Sequence, residues 1–216
     1  MEQIQAIQLP ALFSEAARLM QENEAMLCAL DAEMGDGDLG LTMRKGFCAM
    51  PDAVTALLLE EQALSKVLMK AGMKMASVVP STMGTLMGSG IMGGGKALLG
   101  RDAIDGEGLA LFLGGFAESI AKRGKCQVGD RTILDAIDAA ARDAASCESR
   151  KLCDVAEAAY AGAQRGREAT KAMLPKFGKA AVFSAKAVGR IDQGAVAGAL
   201  FVQAIRNYVL QDTKGA

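Results

Sequence analysis

The helical character of this chain is clearest in residues 9–30, which read LPALFSEAARLMQENEAMLCAL. Apolar side chains recur there at steps of three and four residues, the spacing that places them on one face of an α-helix. They are Leu12, Phe13, Ala16, Leu19, Met20, Met26, Leu27 and Leu30. The same spacing returns near 106–122. Both segments are therefore predicted to be amphipathic helices.

Similar periodicity predicts six further helices in the chain. They lie near 40–50, 62–78, 83–99, 130–146, 151–173 and 192–210. About eight helices joined by short connections are typical of an antiparallel up-and-down bundle or barrel. The sequence shows no low-complexity linker, charge block or clear repeat that would divide it. Residues 1–216 are therefore expected to form a single all-α domain.

Composition agrees with a helical core and restricts the chemistry. Hydrophobic residues make up 51% of the 216 residues, but aromatic residues make up only 4%. The core must therefore consist mainly of Ala, Leu, Met and Val, a mixture more typical of helices than of strands. Since histidine is absent, the chain alone can build neither a Ser-His or Cys-His nucleophile pair nor a histidine-ligated zinc site.

Charge and cysteine usage bear on partners and location. The net charge of -1 gives no reason to expect nucleic acid or an anionic membrane surface as a partner. No run of about 18 apolar residues predicts a membrane span, and the first eight residues do not resemble a signal peptide. The cysteines are odd in number and never spaced as C-x-x-C. Reduced, buried thiols in a cytoplasmic protein are expected.

The strongest chemical motif is DAEMGDGDLG at residues 31–40. Its three aspartates, Asp31, Asp36 and Asp38, lie within eight positions of a glycine-rich turn. Carboxylates this close repel each other, and some would be protonated unless a cation joined them. Mg²⁺ is commonly held by a few carboxylates together with substrate phosphates. The motif therefore favours a metal site.

Two other interpretations of this turn are weaker. A calcium loop of the EF-hand type that began at Asp36 would need glycine at its sixth position and glutamate at its twelfth. The sequence has Leu41 and Phe47 there. A turn that only caps the next helix would need one aspartate rather than three.

Glycine and polar residues interrupt the helical pattern at four connections: 31–40, 79–85, 123–132 and 175–194. In an up-and-down bundle, alternate connections lie at the same end. These are the first, third, fifth and seventh connections, so they are expected to meet at one rim.

The segment 90–97 matches the P-loop pattern G-x-x-x-x-G-K, but Ala97 replaces the required hydroxyl residue and no strand precedes it. A P-loop is therefore rejected in favour of close helix packing.

The aspartate turn, followed by L-G-L-T-M and G-F, resembles the metal loop of the dihydroxyacetone kinase L subunit family. In that family the three aspartates hold two Mg²⁺ ions that bridge the phosphates of ADP or ATP. The resemblance implies the same role for Asp31, Asp36 and Asp38. Amides at the start of the following helix would face phosphate, at Leu39, Gly40, Leu41 and Thr42.

The other three connections resemble further segments of the same family. Residues 79–85 occupy the place of its phosphate loop, although their sequence differs from that of the family. The implied contacts are Ser81, Thr82, Gly84 and Thr85. The segment around 123–132 resembles R-G-K-x-x-x-G-D-K-T-x-x-D, which lies against the base and ribose and implies contacts at Gly124 and Ile133. The last connection resembles G-R-A and G-x-x-D-P-G-A, which implies Lys179 as a cation near the phosphates and Asp192 and Gly194 beside the nucleotide.

Without the resemblance, each of these three connections has an ordinary structural interpretation. Residues 79–85 suit the entrance of a helix capped by serine or threonine, Asp130 suits a helix cap within 123–132, and Asp192 suits a third cap. The resemblance also has departures. Leu39 stands where many members have histidine, and Gln193 stands where proline is common.

The resemblance implies a phosphotransferase, the Mg-ADP or Mg-ATP binding subunit of a small-ketose kinase. A separate K-type subunit would hold the ketose through its own histidine, so this chain should be a poor kinase alone. The phosphoryl donor would be ATP or a phosphotransfer protein that rephosphorylates bound ADP. The identity of the ketose, which could be a tetrulose, is left open. Whether the chain forms a homodimer is also left open. The alternatives are a regulatory protein that binds a transcription regulator, the nucleotide domain of an acyl-phosphate-forming kinase, and a purely structural bundle.

Overall fold

The computed structural model describes residues 1–183 and 187–211, apart from the side chains of Lys179 and Phe183. The predicted all-α architecture is confirmed. The helices are α1 (Leu9–Glu22), α2 (Glu24–Ala32), α3 (Leu39–Cys48), α4 (Met50–Leu58), α5 (Leu64–Val78), α6 (Thr82–Ala97), α7 (Gly106–Gly124), α8 (Ile133–Ser146), α9 (Leu152–Ala169) and α10 (Gln193–Gln211). Short 3₁₀ helices cover Ala6–Gln8, Thr170–Ala172 and Lys179–Phe183.

Helices that follow one another in the sequence are also neighbours in space. From α5 to α9 each helix packs on the next, and α10 contacts both α9 and α1. Because α1 packs on α3 and α4, and α4 packs on α5, the succession closes into a barrel. Short connections between packed neighbours make them antiparallel, which is the expected up-and-down arrangement.

Phenylalanines fill the middle of the barrel. The rings of Phe47 and Phe116 lie 5.6 and 5.4 Å from the ring of Phe201, at the separations that aromatic pairs prefer. These three rings thus join α3, α7 and α10 in the core. Among the described residues, none of the helices has both the length and the apolar character needed to cross a bilayer.

Two breaks differ from the predicted helix pattern. The helix predicted for 9–30 is divided at Asn23, whose side-chain amide donates to the carbonyl oxygen of Leu19 at 2.8 Å and so competes with the backbone. Helix α4 was not predicted at all. It is separated from α3 at Ala49 because Pro51, in its first turn, cannot donate the hydrogen bond that a continuous helix would require.

Two further details differ from expectation. The two-residue strands β1 (Ile4–Gln5) and β2 (Ala103–Ile104) pair antiparallel, with Ile4 opposite Ile104, and neither was predicted. The cysteines are free thiols, as expected, but the expectation that they are buried is wrong. Cys48 is exposed, and Cys28, Cys126, Cys147 and Cys153 are only partly covered.

The glycine run rejected as a P-loop lies inside α6, where it allows helices to pack closely. A Cβ at Gly90 would lie 2.2 Å from the ring of Phe116. Lys96 is exposed, as expected. The crossing of α5 and α6 is equally tight, since a Cβ at Gly72 would lie 2.4 Å from the carbonyl oxygen of Gly88.

Replacing Gly72 with alanine should destabilise the chain, because the new methyl group meets the backbone of α6 rather than a mobile side chain. We expect the free energy of unfolding to fall by about 1–3 kcal/mol, as measured by urea denaturation. The matched control is Gly114→Ala in α7, where a Cβ meets nothing within 4 Å. That variant should gain about 0.5–1 kcal/mol from helix propensity. Equal effects at both sites would contradict the proposed close crossing.

Candidate functional site

A cavity of about 390 Å³ opens at one end of the barrel. It lies where α2, α5, α7 and α9 end and where α3, α6, α8 and α10 begin. Residues of all four polar connections line it, so the prediction that these connections meet at one rim is confirmed. The predicted site residues in its wall are Asp31, Asp36, Asp38, Leu39, Thr42, Ser81, Thr82, Ile133, Asp192 and Gly194.

Other predicted residues lie close to the cavity without lining it. A Cβ at Gly40 would lie 2.1 Å from the carbonyl oxygen of Glu24, and one at Gly84 would lie 2.2 Å from that of Val79, so both glycines are explained by packing. Gly40 and Gly84 do not line the cavity, and neither do Leu41, Thr85 and Gly124. Contacts of these five residues with a nucleotide stay predictions.

The acidic turn is organised around the carboxylate of Asp31, which is buried at the end of α2. Its Oδ2 accepts hydrogen bonds from the backbone N–H groups of Gly37, Asp38 and Leu39, at 2.9, 3.1 and 3.3 Å. Gly35 is required here, since a Cβ would lie 2.2 Å from Asp31 Oδ1. The turn therefore wraps one carboxylate tightly with its own backbone.

The predicted metal residues share one face of this turn. One carboxylate oxygen from each of Asp31, Asp36 and Asp38 lies within 4.8 Å of the others, and the last two residues are exposed. Three carboxylate oxygens converging from one short turn fit a hard divalent cation such as Mg²⁺, which prefers oxygen ligands and keeps room for water or phosphate. The donor set is therefore compatible with the predicted metal.

Four helix N-termini converge on the cavity. Asp38 precedes α3, and Ser81 caps α6 by accepting from the N–H of Gly84 at 3.0 Å. Thr132 caps α8 by accepting from the N–H of Leu134 at 3.2 Å, and α10 begins at Gln193. Unpaired amides and the positive ends of helix dipoles make such termini favourable for anions. The cavity thus combines a cation-binding turn with an anion-binding rim.

The polar turn before α8 corrects one expectation. Asp130 does not cap the helix, because its carboxylate pairs with Lys176 at 2.6 Å and accepts from the N–H of Gln127 at 2.8 Å. The hydrogen bond from Lys176 lowers the pKa of Asp130. Thr132 is the cap instead, and Asp135 completes a capping box by accepting from the N–H of Thr132 at 2.7 Å.

Asp192 is a helix cap, as its local sequence indicated. Its Oδ1 accepts from the N–H of Ala195 at 2.7 Å, and its own N–H donates to Oγ1 of Thr170 at 2.9 Å. Burial raises the pKa of Asp192 to about 6. A buried carboxylate that is ionised at neutral pH requires a compensating charge nearby.

Arg131 provides that charge, and it was not among the predicted site residues. Its side chain has no exposed surface, and its Nη1 lies 4.0 Å from Asp192 Oδ2. Its Nη2 donates to the carbonyl oxygens of Arg190 and Ile191 at 3.3 and 3.4 Å. Its backbone φ of 61° is unusual for a residue other than glycine. Its position within the G-D-R-T stretch was the only signal, because an arginine in a polar turn is normally solvated.

Lys179 begins the 3₁₀ helix Lys179–Phe183, but its side chain lies outside the described residues. Its neighbours Gly178 and Ala180 line the cavity, as does Phe177. The backbone of this segment therefore borders the site, and the predicted role of the Lys179 ammonium group near phosphate stays a prediction.

The fold and the site together define an all-helical barrel with an acidic turn and four helix N-termini around one rim cavity. The chain belongs to the DAK2 domain family, whose model matches residues 33–207. The ADP-binding subunit DhaL of PEP-dependent dihydroxyacetone kinase 1 from Listeria innocua is 32% identical over 186 residues, which cover 86% of this chain and 88% of the relative.

Other relatives and a solved structure agree with this membership. The ADP-binding subunit DhaL of the Escherichia coli PEP-dependent dihydroxyacetone kinase is 29% identical, over 78% of this chain and 80% of the relative. The L-erythrulose kinase of Pectobacterium atrosepticum is 28% identical over 94% of this chain, which spans only 35% of that protein. The C. freundii dihydroxyacetone kinase in complex with AMP-PNP and Mg²⁺ has a TM-score of 0.68 at 25% identity, over 92% of this chain and 33% of that one.

Replacing Arg131 with methionine should leave Asp192 buried without a compensating charge. We expect the free energy of unfolding at pH 7 to fall by about 3 kcal/mol. The loss should be smaller at pH 5, because Asp192, with a pKa of about 6, takes up a proton and no longer needs a counter-charge. Urea denaturation at the two pH values measures both effects.

The matched control for this prediction is Arg142→Met on α8. Arg142 is exposed and pairs with Asp138, so its loss should change stability by less than about 0.5 kcal/mol at either pH. The assigned role of Arg131 is wrong if its methionine variant is as stable as the unmodified chain at pH 7.

Proposed function

We propose that this chain is the Mg²⁺- and nucleotide-binding subunit of a small-ketose kinase of the dihydroxyacetone type. One observation carries the proposal. The carboxylates of Asp31, Asp36 and Asp38 converge within 4.8 Å at a cavity that four helix N-termini surround. A site that attracts a cation and an anion together suits a metal-bound nucleotide phosphate.

Phosphoryl transfer requires mainly positioning and neutralisation of charge. Asp31, Asp36 and Asp38 would hold Mg²⁺, as two ions in the family that the turn resembles, and the bound metal would neutralise the phosphates of ADP or ATP. The amides at the starts of α3 and α6 would bind phosphate oxygens, with Ser81 and Thr82 in the cavity wall. Ile133 and Gly194 would lie beside the rest of the nucleotide, and Lys179 would add a positive charge.

The relatives support both the nucleotide and a division of labour between subunits. Those from Listeria innocua and Escherichia coli are named as ADP-binding subunits, and the matching C. freundii kinase was solved with AMP-PNP and Mg²⁺. This chain has no histidine that could hold a ketose covalently, so we propose that a K-type subunit holds it. A phosphotransfer protein that regenerates ATP from bound ADP is a further proposed partner in the cytoplasm.

The first test of this function is the effect of ADP and Mg²⁺ on the melting temperature. At about 100 times the dissociation constant, bound ligand stabilises the folded chain by about 2.7 kcal/mol. For a chain of 216 residues this raises the melting temperature by about 5–10 °C. Neither ADP nor Mg²⁺ alone should produce the full rise, because each neutralises the charge of the other.

Replacing both Asp36 and Asp38 with asparagine should abolish this rise. Both side chains are exposed, so the ligand-free melting temperature should not fall. The double variant Asp52→Asn/Asp102→Asn is the control, since it removes the same charge from exposed positions outside the cavity and should keep the full rise. A rise that survives in the Asp36/Asp38 variant would place the metal elsewhere.

Ketose phosphorylation by the purified chain should be negligible without a K-type subunit and should appear when that subunit is added. The physical reason is that the K-type subunit would position the ketose hydroxyl against the phosphate, and positioning supplies much of the rate. A coupled assay with ATP, Mg²⁺ and dihydroxyacetone or erythrulose measures this. Turnover by the chain alone at about 1–100 s⁻¹, the usual kinase range, would refute the division of labour. The regulatory alternative predicts a different result. The chain would bind Mg-ADP and a transcription regulator, but no K-type subunit would make it phosphorylate a ketose.

A further inference from the structure

The two oxygens of the Asp31 carboxylate have different surroundings. Oδ2 accepts three backbone N–H groups, at 2.9, 3.1 and 3.3 Å, so its acceptor capacity is used within the turn. Oδ1 is therefore the oxygen of Asp31 that remains for a cation. Among the described residues, the side-chain donor recorded at Oδ1 is Nε2 of Gln193, at 3.3 Å.

Gln193 reaches Asp31 from a different element, since it is the first residue of α10, and both residues line the cavity wall. The orientation of its amide is determined by chemistry, because an ionised carboxylate only accepts hydrogen bonds and the NH₂ group must face it. Its Oε1 is buried and has no donor in the described part of the chain. The amide is thus held by Asp31 through its NH₂ group, while its Oε1 has no partner among the described residues.

A second contact joins the same two segments. The guanidinium of Arg190, three residues before Gln193, pairs with the carboxylate of Glu33 in the acidic turn. The segment that precedes Arg190 is itself anchored, because the N–H of Gly189 donates to the carbonyl oxygen of Lys171 at 2.8 Å. The start of α10 is therefore docked against the turn, and Gln193 is presented to Asp31 from a fixed position.

We propose that Gln193 is a positioning residue for Mg²⁺ at the acidic turn. The inference rests on the nucleotide function proposed above. The Gln193 amide occupies one lone pair of Oδ1. It thereby fixes the direction in which the second lone pair of Oδ1 points toward the metal. Mg²⁺ demands nearly ideal octahedral geometry, whereas Ca²⁺ accepts flexible arrangements at longer distances. A restrained Asp31 should therefore favour Mg²⁺ over Ca²⁺.

The position of Gln193 allows two complementary substitutions. Gln193→Met keeps the length of the side chain and removes the donor. Gln193→Pro introduces the residue that is common here in the family which the sequence resembles, and proline is well tolerated at the first position of a helix, where no N–H is needed. Both variants remove the hydrogen bond to Asp31, and the second also tests whether this chain depends on a contact that proline cannot provide. Gln203→Met, on the same helix but outside the cavity wall, is the matched control.

The experiment is calorimetric titration of ADP into the full chain, without metal and at a series of Mg²⁺ or Ca²⁺ concentrations. We expect both Gln193 variants to weaken the apparent affinity for Mg²⁺ by about tenfold and that for Ca²⁺ by clearly less, so that the ratio of the two affinities falls. Binding of ADP without metal should be unchanged. The Gln203→Met chain should behave as the unmodified chain in all three conditions.

The outcomes separate this inference from the proposed function. If the unmodified chain binds no ADP with Mg²⁺, the proposed function fails and the inference fails with it. If the unmodified chain binds but either folded Gln193 variant keeps both the Mg²⁺ affinity and the Mg²⁺ to Ca²⁺ ratio within a factor of about two, only the inference is overturned. A lower melting temperature with an unchanged ratio also overturns it, because Gln193 would then be purely structural. Should Gln193→Met not fold, Gln193→Pro decides in the same way.

Discussion

The site depends on one interaction, the capture of the buried Asp31 carboxylate by three consecutive backbone N–H groups. A carboxylate removed from water is costly unless hydrogen bonds satisfy it. Here those bonds also determine the path of the chain from α2 into α3. The turn can make them only because Gly37 adopts a φ of 77° and Gly35 leaves room beside Oδ1. The same bonds that satisfy Asp31 bring Asp36 and Asp38 alongside it.

The surroundings of this turn follow from the antiparallel order of the helices. When α1–α2 and α3–α4 are each counted as one broken helix, an up-and-down barrel places every second connection at the same end. Four helix N-termini and their unpaired amides therefore meet there. Apolar periodicity was sufficient to predict this, because it reports the helices and their order. It could not report the breaks at Asn23 and Ala49. Those depend on a side chain that competes for a carbonyl and on the missing N–H of Pro51.

Polar residues were predictable where their role is local. Asp192 caps the helix that follows it, and Asp31, Asp36 and Asp38 converge because one short turn carries all three. Arg131 was not predictable, because its partners, Asp192 and the carbonyl oxygens of Arg190 and Ile191, lie about 60 residues away in the sequence. Asp130 was misassigned for a similar reason, since Lys176 attracts its carboxylate away from the helix that it precedes.

The buried charges at the rim stand in contrast to the core of the barrel, which consists mainly of aliphatic side chains with a few phenylalanines. A buried ion pair adds little to stability on average, and apolar residues of the same volume are often as good or better. The Arg131–Asp192 pair is therefore poorly explained by stability alone. It joins the turn before α8 to the start of α10, and α10 in turn presents Gln193 to Asp31. A chain of polar contacts thus runs across the rim from one connection to the next, and it links the geometry of the acidic turn to the packing of helices that do not carry it.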